Sequence, residues 1–390
     1  MPHIPIEIVI SILEIASYQD ADVQDNHLLS NCALVCRDWS FISQRLLFRD
    51  VSLHTESAFE SFQTAVNRST PKGCMLGDAV ERLHCAVDDR QPCGLSQEAF
   101  SQAVVMCPKL AKLSLALYGD RTQCQVDAPA VVERSVLPTS SLDESTLSML
   151  RYAPRVTSLQ FDNSTDNSEI LPQLLEIWPN LTALTISGIA PTLSSPSPAP
   201  FPCALEKLRV NCQASPSTGF LTWLLHNSTN TLRVLEFERD LSVEVLERLV
   251  ANHGASLESI TLPSCASPER AALLAQCTQL RDMRIASAGT LPTVYRALPR
   301  TLEHLVIAVG KDVVLQPIVQ AVKRSEALTK VTVHVCAGGE KHPQLAAMKI
   351  ACAAKGIELN VTKDTRMLRS ATHGSLVPAV FLPCAKPLKI

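Results

Sequence analysis

The stretch Leu232–Gly254 reads LRVLEFERDLSVEVLERLVANHG. It opens with LRVLEF, in which Leu235 and Phe237 alternate as the buried face of a short strand does. After Glu238-Arg239-Asp240 the apolar period changes. Val245, Leu246, Leu249 and Val250 share one face of a helix. Ser242 stands where an N-cap hydroxyl belongs, and Gly254 is expected as the C′ glycine beyond the last turn. Strand, turn, helix and turn therefore fit within a single short unit.

The opening run recurs. VERLHC starts at Val80, LAKLSL at Leu110, VTSLQF at Val156 and LTALTI at Leu181. LEKLRV starts at Leu205, LESITL at Leu257, LRDMRI at Leu280, LEHLVI at Leu302 and LTKVTV at Leu328. From Leu181 onward, with Leu232 included, successive starts are 24, 27, 25, 23, 22 and 26 residues apart. The earlier gaps are 30, 46 and 25 residues, the longest spanning an insertion or degenerate unit around Tyr118 to Ser141. Helical spacing follows in LPQLLEIW, LTWLLHN, SPERAALLAQC and LQPIVQAVKR, with Pro268 at a first helical position. PTLSSPSPAPFP, Pro191 to Pro202, is too rich in proline for a helix and is expected to replace one with a loop.

Such a unit cannot bury its own apolar face. Its helix must cover its strand, and the next strand must lie parallel to the last, so that stacked units share one core. The pattern resembles a leucine-rich-repeat solenoid over Phe48 to Lys363, with strands on a concave face and helices outside. The first strand is expected at Val51–Leu53 and the last at Ile357–Val361. The family's turn Asn or Cys is met by Cys265 after Leu262, whereas Asp88, Asp240, Gln213 and Gly310 stand at that place elsewhere. Without an asparagine ladder the turns need other partners for their backbone N–H groups, and an irregular solenoid is expected.

Composition narrows the function. The chain of 390 residues is 46% hydrophobic but only 4% aromatic, so its core is aliphatic. A net charge of −3 gives no basic stripe for nucleic acid or an anionic membrane, and no partner of either kind is expected. Fourteen cysteines are scattered singly, with no CxxC pair, which reads as reduced buried thiols rather than disulfides or zinc; no metal and no cofactor is expected. Cys32 and Cys36 are spaced to share a helix face. The sequons at Asn67, Asn163, Asn180, Asn227 and Asn360 read as chance. Residues 4 to 16 make a poor signal peptide, and no membrane-length apolar run occurs. The expected location is cytoplasmic or nuclear. GxSxG, HExxH, Walker and GxGxxG motifs are absent, and His84, His226, His253, His304 and His334 have no sequence neighbour to work with, so no enzyme is expected.

The first fifty residues have another texture. A helix is expected from Ile4-Pro5. Glu7, Ser11 and Glu14 form one polar stripe on it, and the other residues from Ile6 to Ala16 are apolar, an arc far wider than one core contact uses. Asp20 to Asn26 reads as a loop. Leu28, Cys32, Val35 and Trp39, spaced four, three and four, are expected on one face of a second helix, with Ile42 and Leu46 on a third. Three short helices make too small a unit to stand alone, so their surplus apolar surface is expected to meet a partner.

Ile4-Pro5-Ile6-Glu7-Ile8 with Ile12-Leu13, followed by Leu34-Val35-Cys36-Arg37-Asp38-Trp39, resembles the F-box. The likeness runs from Pro2 to about Asp50. CALVCRDWSFISQRLLFRDVSL looks like the F-box proteins multiplied in mushroom-forming fungi. Ile4-Pro5 stands where the family opens with Leu-Pro, and Val35-Cys36-Arg37-Asp38-Trp39 matches its Val-Cys-x-x-Trp. The resemblance implies docking on the Skp-family adaptor, and through it cullin, by Ile4, Pro5, Ile8, Ile12, Leu13, Leu28, Val35, Cys36 and Trp39. It implies a substrate-recognition subunit of a Skp–cullin–F-box ubiquitin ligase, without chemistry of its own. The rival reading is a scaffold without a ubiquitin role, whose first helices are only a cap. Strand positions between the aliphatics give the expected target-binding face: Lys112, Gln160, Lys207, Arg209, Glu236, Glu238, Asp282, Arg284, His304, Lys330 and His334. Their mixed charge suits an unknown protein target.

The expected organisation is therefore α/β: an N-terminal three-helix F-box at 1–49, an irregular leucine-rich-repeat solenoid at 50–363, and a tail at 364–390 that caps the last unit or binds back along it.

Overall fold

The computed structural model describes residues 5–20, 23–88, 91, 93–118, 142–165, 170–193, 199–265, 267–287, 290, 292–296, 298–336 and 338–363. A first compact unit ends at Leu47 and a second begins at Phe48.

The first unit holds α1 (Ile6–Ala16), α2 (Asn26–Cys32) and α3 (Arg37–Leu47). Its small core comprises Val9 and Leu13 of α1, Leu29 and Cys32 of α2, and Ile42 and Leu46 of α3, with Ile10, Leu28, Trp39 and Leu47 packed against it. Two findings correct the sequence reading. The segment after α1 contains a short antiparallel hairpin, β1 (Tyr18–Asp20) and β2 (Val23–Gln24), which the Gln24 amide ties to the Leu46 carbonyl at 2.9 Å. The second helix ends at Cys32, so Val35 and Trp39 do not continue its face. Asp25 caps its start, and the Leu34 and Val35 amides close tight turns onto Asn31 and Cys32. Trp39 belongs to α3 with Ile42 and Leu46, and the chain turn separates buried Cys32 from exposed Cys36.

The second unit carries one twelve-stranded sheet in simple sequence order. Its strands are β3 (Asp50–Leu53), β4 (Arg82–Val87), β5 (Lys112–Tyr118), β6 (Ser158–Ser164), β7 (Ala183–Gly188) and β8 (Lys207–Cys212). They continue as β9 (Val234–Phe237), β10 (Ser259–Leu262), β11 (Asp282–Ile285), β12 (His304–Val309), β13 (Lys330–Val335) and β14 (Glu358–Thr362). Every pairing is parallel. Each of the ten quoted runs becomes a strand that starts at its third residue. The register places their second and third aliphatics in two continuous rows, Leu83 to Val331 and Cys85 to Val333.

Helices stand between the strands: α4 (Glu56–Ala65), α5 (Pro71–Gly77), α6 (Gln97–Val105), α7 (Glu144–Leu150) and α8 (Ile170–Ile177). Then come α9 (Thr218–Leu224), α10 (Val243–His253), α11 (Pro268–Leu274), α12 (Gln316–Arg324) and α13 (Leu345–Lys355). Hydroxyls of Thr55, Thr70, Ser96, Ser217, Ser242 and Ser267 and the Asp143 carboxylate accept the third-residue amide of the helix each one opens. These caps satisfy donors that a helix start leaves over. The two strand rows and the apolar helix faces build one core, from Leu53 to Ile357. Gly254 departs from expectation. It is the C-cap in right-handed conformation, and an added Cβ would lie 2.5 Å from the Val250 carbonyl, so close approach rather than positive φ calls for glycine.

The turns solve their hydrogen bonding without an asparagine ladder. The carbonyl before one strand accepts two successive amides entering the next: Arg49 from Glu81 and Arg82, Glu81 from Ala111 and Lys112, and onward to Glu303 from Thr329 and Lys330. Ser and Thr hydroxyls join in, with Ser256 on the Leu232 carbonyl and Thr301 on that of Leu280. Between β7 and β8 no helix occurs among the described residues. Phe201 and Cys203 enter the core there instead. The stretch 119–141 lies outside the described residues, as does the tail from 364.

Candidate interaction surfaces

On the first unit, α1 presents three stripes. Val9 and Leu13 face the core, and Glu7, Ser11 and Glu14 make the polar stripe. Ile8, Ile12 and Ile15 are 50%, 48% and 78% exposed at i, i+4 and i+7. Leu34, Val35 and Phe41 are also exposed large apolar side chains. The helix thus has more apolar surface than three short helices bury. Of the nine residues expected to dock, Ile4 lies outside the described residues. Pro5, Ile8, Ile12, Val35 and Cys36 are exposed. Leu13 is buried at 2%, and Leu28 and Trp39 pack on the core, so these three hold the unit together. Ile15, Leu34 and Phe41 were missed. Ile15 continues the Ile8–Ile12 spacing, a signal present in the sequence.

On the second unit, the sheet face turned away from the core carries the expected target-binding residues in register. Lys112, Lys207, Asp282, His304 and Lys330 lie in the row of strand starts. Gln160, Arg209, Glu236 and Arg284 lie two residues on, and His334 two further. Glu238 follows the end of β9. Topology gives these residues partners that sequence distance hid. Arg209 stands 3.7 Å from Glu236 and is also paired with Glu238. Arg284 grips Asp282 through Nε at 3.3 Å and Nη2 at 2.8 Å. Asp282 lies 3.7 Å from His304 Nδ1, while His304 Nε2 is 3.0 Å from the Thr332 hydroxyl. Burial pushes the Asp282 carboxyl up, but the His304 and Arg284 contacts outweigh it and hold the group below the usual carboxylate range. Lys330 pairs with Glu358 at 2.9 Å.

At the other end, Asp50 binds Arg82 at 2.9 Å and His84 at 3.0 Å, so His84 has a partner 34 positions away in sequence (84 − 50). Among the described residues no group of three or more metal-type side chains gathers. The two halves of the face differ. On β4, β5, β6 and β8 the outward residues stay at least partly exposed. On β9 to β13 they are buried after the first position, including Glu236, Thr261, Arg284, Thr332 and His334. Much of that half of the face is therefore shielded from solvent. Buried charges there are paired, Glu236 with Arg209 of the neighbouring strand and Arg284 with Asp282 of its own, as burial of charge requires.

These features define a class: an α/β solenoid of leucine-rich-repeat type, preceded by a separate three-helix unit with a surplus apolar face. No family model matches the chain, and no curated protein matches it. Among solved structures, the crystal structure of a TLR13–ssRNA13 complex is similar to 73% of this chain at 13% identity and a TM-score of 0.36. The chain spans 40% of the length of that protein. No helix among the described residues is long and apolar enough to cross a membrane.

Proposed function

We propose that this protein is a substrate-recognition subunit of a Skp–cullin–F-box ubiquitin ligase. Its first unit docks on a Skp-family adaptor, and its solenoid holds a target protein. The observation that carries this reading is the exposed Ile8–Ile12–Ile15 stripe of α1, with Leu34, Val35 and Phe41 also exposed on the same unit. An exposed apolar face on a unit too small to be stable alone is what a constitutive partner would complete. The F-box-like Val35-Cys36-Arg37-Asp38-Trp39 lies on the same unit. The target role rests on the register-aligned, mixed-charge sheet face, which suits a protein surface. The ligase subunit would act by proximity, raising the effective concentration of a target lysine near the loaded enzyme.

The test is co-expression with a Skp-family adaptor followed by size exclusion. A one-to-one complex is expected. Ile8→Glu with Ile12→Glu should abolish it while circular dichroism stays unchanged, because both side chains are half exposed. Trp39→Ala is the poorer probe, since Trp39 packs on the core of its own unit. A folded chain that forms no complex with the adaptor would favour the scaffold reading.

A further inference from the structure

Asp50, Asp162, Glu236, Asp282 and Glu358 are the carboxylates that the strands place on the sheet face away from the core. The fold answers all but one of them with a cation. Asp50 has Arg82, Glu236 has Arg209, Asp282 has Arg284 and Glu358 has Lys330. Asp162 of β6 has no cation among the described residues, and its hydrogen-bond partner is the Ser164 hydroxyl. Burial pushes the half-buried Asp162 carboxyl above the usual carboxylate range, and the Ser164 contact only partly opposes this. Once ionised, the group costs folding stability. A desolvated charge that the fold leaves unanswered marks a place where something from outside can answer it.

The surroundings leave room for that. Register sets Ala116 and Ser187 on either side of Asp162, with Ala86 beyond Ala116 and Asn211 beyond Ser187. These short side chains form a trough across β4 to β8. Its length, four interstrand steps of about 4.8 Å, is roughly 19 Å, the reach of about six extended residues. Tyr118, 37% exposed, stands at one side of the trough, in register with Ser164. Its hydroxyl is pushed up by burial and then by the negative charges of Asp162 and Asp88, so the ring lies in the field of both. An aromatic ring beside a carboxylate suits a cation. Lys112 and Lys207 do not fill that place. They lie in the row of strand starts, four residues back from Ala116 and Asn211. That is about 13 Å along the strand, beyond the screening length of about 8 Å at physiological salt.

We infer that the trough takes an extended segment of a target protein, and that Asp162 receives one lysine or arginine side chain of that segment against Tyr118. This deepens the target-binding reading of the solenoid face and rests on it, but not on adaptor docking. It also separates the two kinds of charge on the face: those of β9 to β14 hold strands to one another, and Asp162 is left for the partner.

The test pans a random heptapeptide phage library on the immobilised full chain and counter-selects on Ala116→Tyr, which fills the trough with neutral bulk. Peptides that bind the first and not the second are synthesised with a fluorophore, and their Kd is measured by polarisation. They are expected to share one Lys or Arg position. Asp162→Asn, nearly isosteric, should weaken them at least tenfold, and Asp162→Ser does the same if the asparagine disturbs folding. Replacing the shared basic residue by Gln should cost as much on the wild type and nothing further on Asp162→Asn, as a direct pair requires. Circular dichroism should be unchanged, and the melting temperature of Asp162→Asn at pH 7.5 should not fall, as it would if the carboxylate only held the fold together. Trough-dependent peptides without a shared basic position, or unmoved by both Asp162 substitutions, would overturn the cation seat and leave the face as a target surface. Failure to find any peptide that tells the wild type from Ala116→Tyr would overturn both.

Discussion

His253 is 3% exposed in the last turn of α10, and its Nδ1 meets no partner among the described residues. Burial lowers its pKa below the ordinary value of 6.5, and a backbone contact at Ser228 only partly opposes this. The unfolded chain therefore takes up the proton first as pH falls. Stability is lost on acidification, beginning near the unfolded pKa of 6.5 and continuing down to the lowered folded one. The melting temperature of the wild type should fall between pH 7.5 and 5.5 by more than that of His253→Leu. Equal slopes in the two proteins would show that this ring does not carry the effect. Asp282 has the opposite placement. Its pKa is depressed in the folded state, so its contribution is present above about pH 4 and fades only on stronger acidification. Sequence reading saw His253 and His304 as isolated. That holds along the chain, but parallel pairing brings His304 to Asp282 and Thr332, each one repeat away.

At the scale of the element, the repeat helices were legible because cap and period agree. Ser242 was readable as a cap and accepts the Val245 amide, and Pro268 opens α11 as expected. The second helix misled because the spacing of Leu28, Cys32, Val35 and Trp39 suits one helix, while the turns at Leu34 and Val35 break it. The described residues of the proline-rich stretch after β7 hold no helix, in keeping with the sequence, but their packing was not foreseen. Phe201 is 1% exposed, with its ring 5.6 Å from that of Trp223. The Trp223 indole donates to the Ala199 carbonyl at 2.6 Å, and the Asn227 amide donates to that of Phe201 at 2.8 Å. Phe201 thus supplies core contacts between β7 and β8, where no helix occurs among the described residues. Phe201→Ala should destabilise the second unit by about 3–5 kcal/mol, as truncation of a buried aromatic does. Chemical denaturation would measure it, and a loss of under about 1 kcal/mol, within the range of an ordinary surface change, would show the segment to be dispensable.

Across the whole molecule, each strand leans on its sequence neighbours alone, so stability is a chain of nearest-neighbour terms. Among the described residues the end strand β14 pairs only with β13, and its residues are largely exposed or half-buried. Backbone amides of β14 should therefore exchange with deuterium at least tenfold faster than those of the interior strands β8 and β9. Uniform exchange along the sheet would mean that the second unit unfolds as one block.

The sequence by itself determined the strand–helix repeat, its parallel order and the caps, because each rests on local periodicity and on side chains close in the chain. It also determined that α1 has more apolar surface than its own unit can bury, since that follows from the width of the arc. Only the tertiary structure decided which of those apolar residues stay outside, that Leu13 and Trp39 are core, and that charges one repeat apart neutralise each other. It alone decided that half of the sheet face is covered. Those outcomes depend on distances between residues remote in sequence, which the pattern of a single strand or helix does not contain.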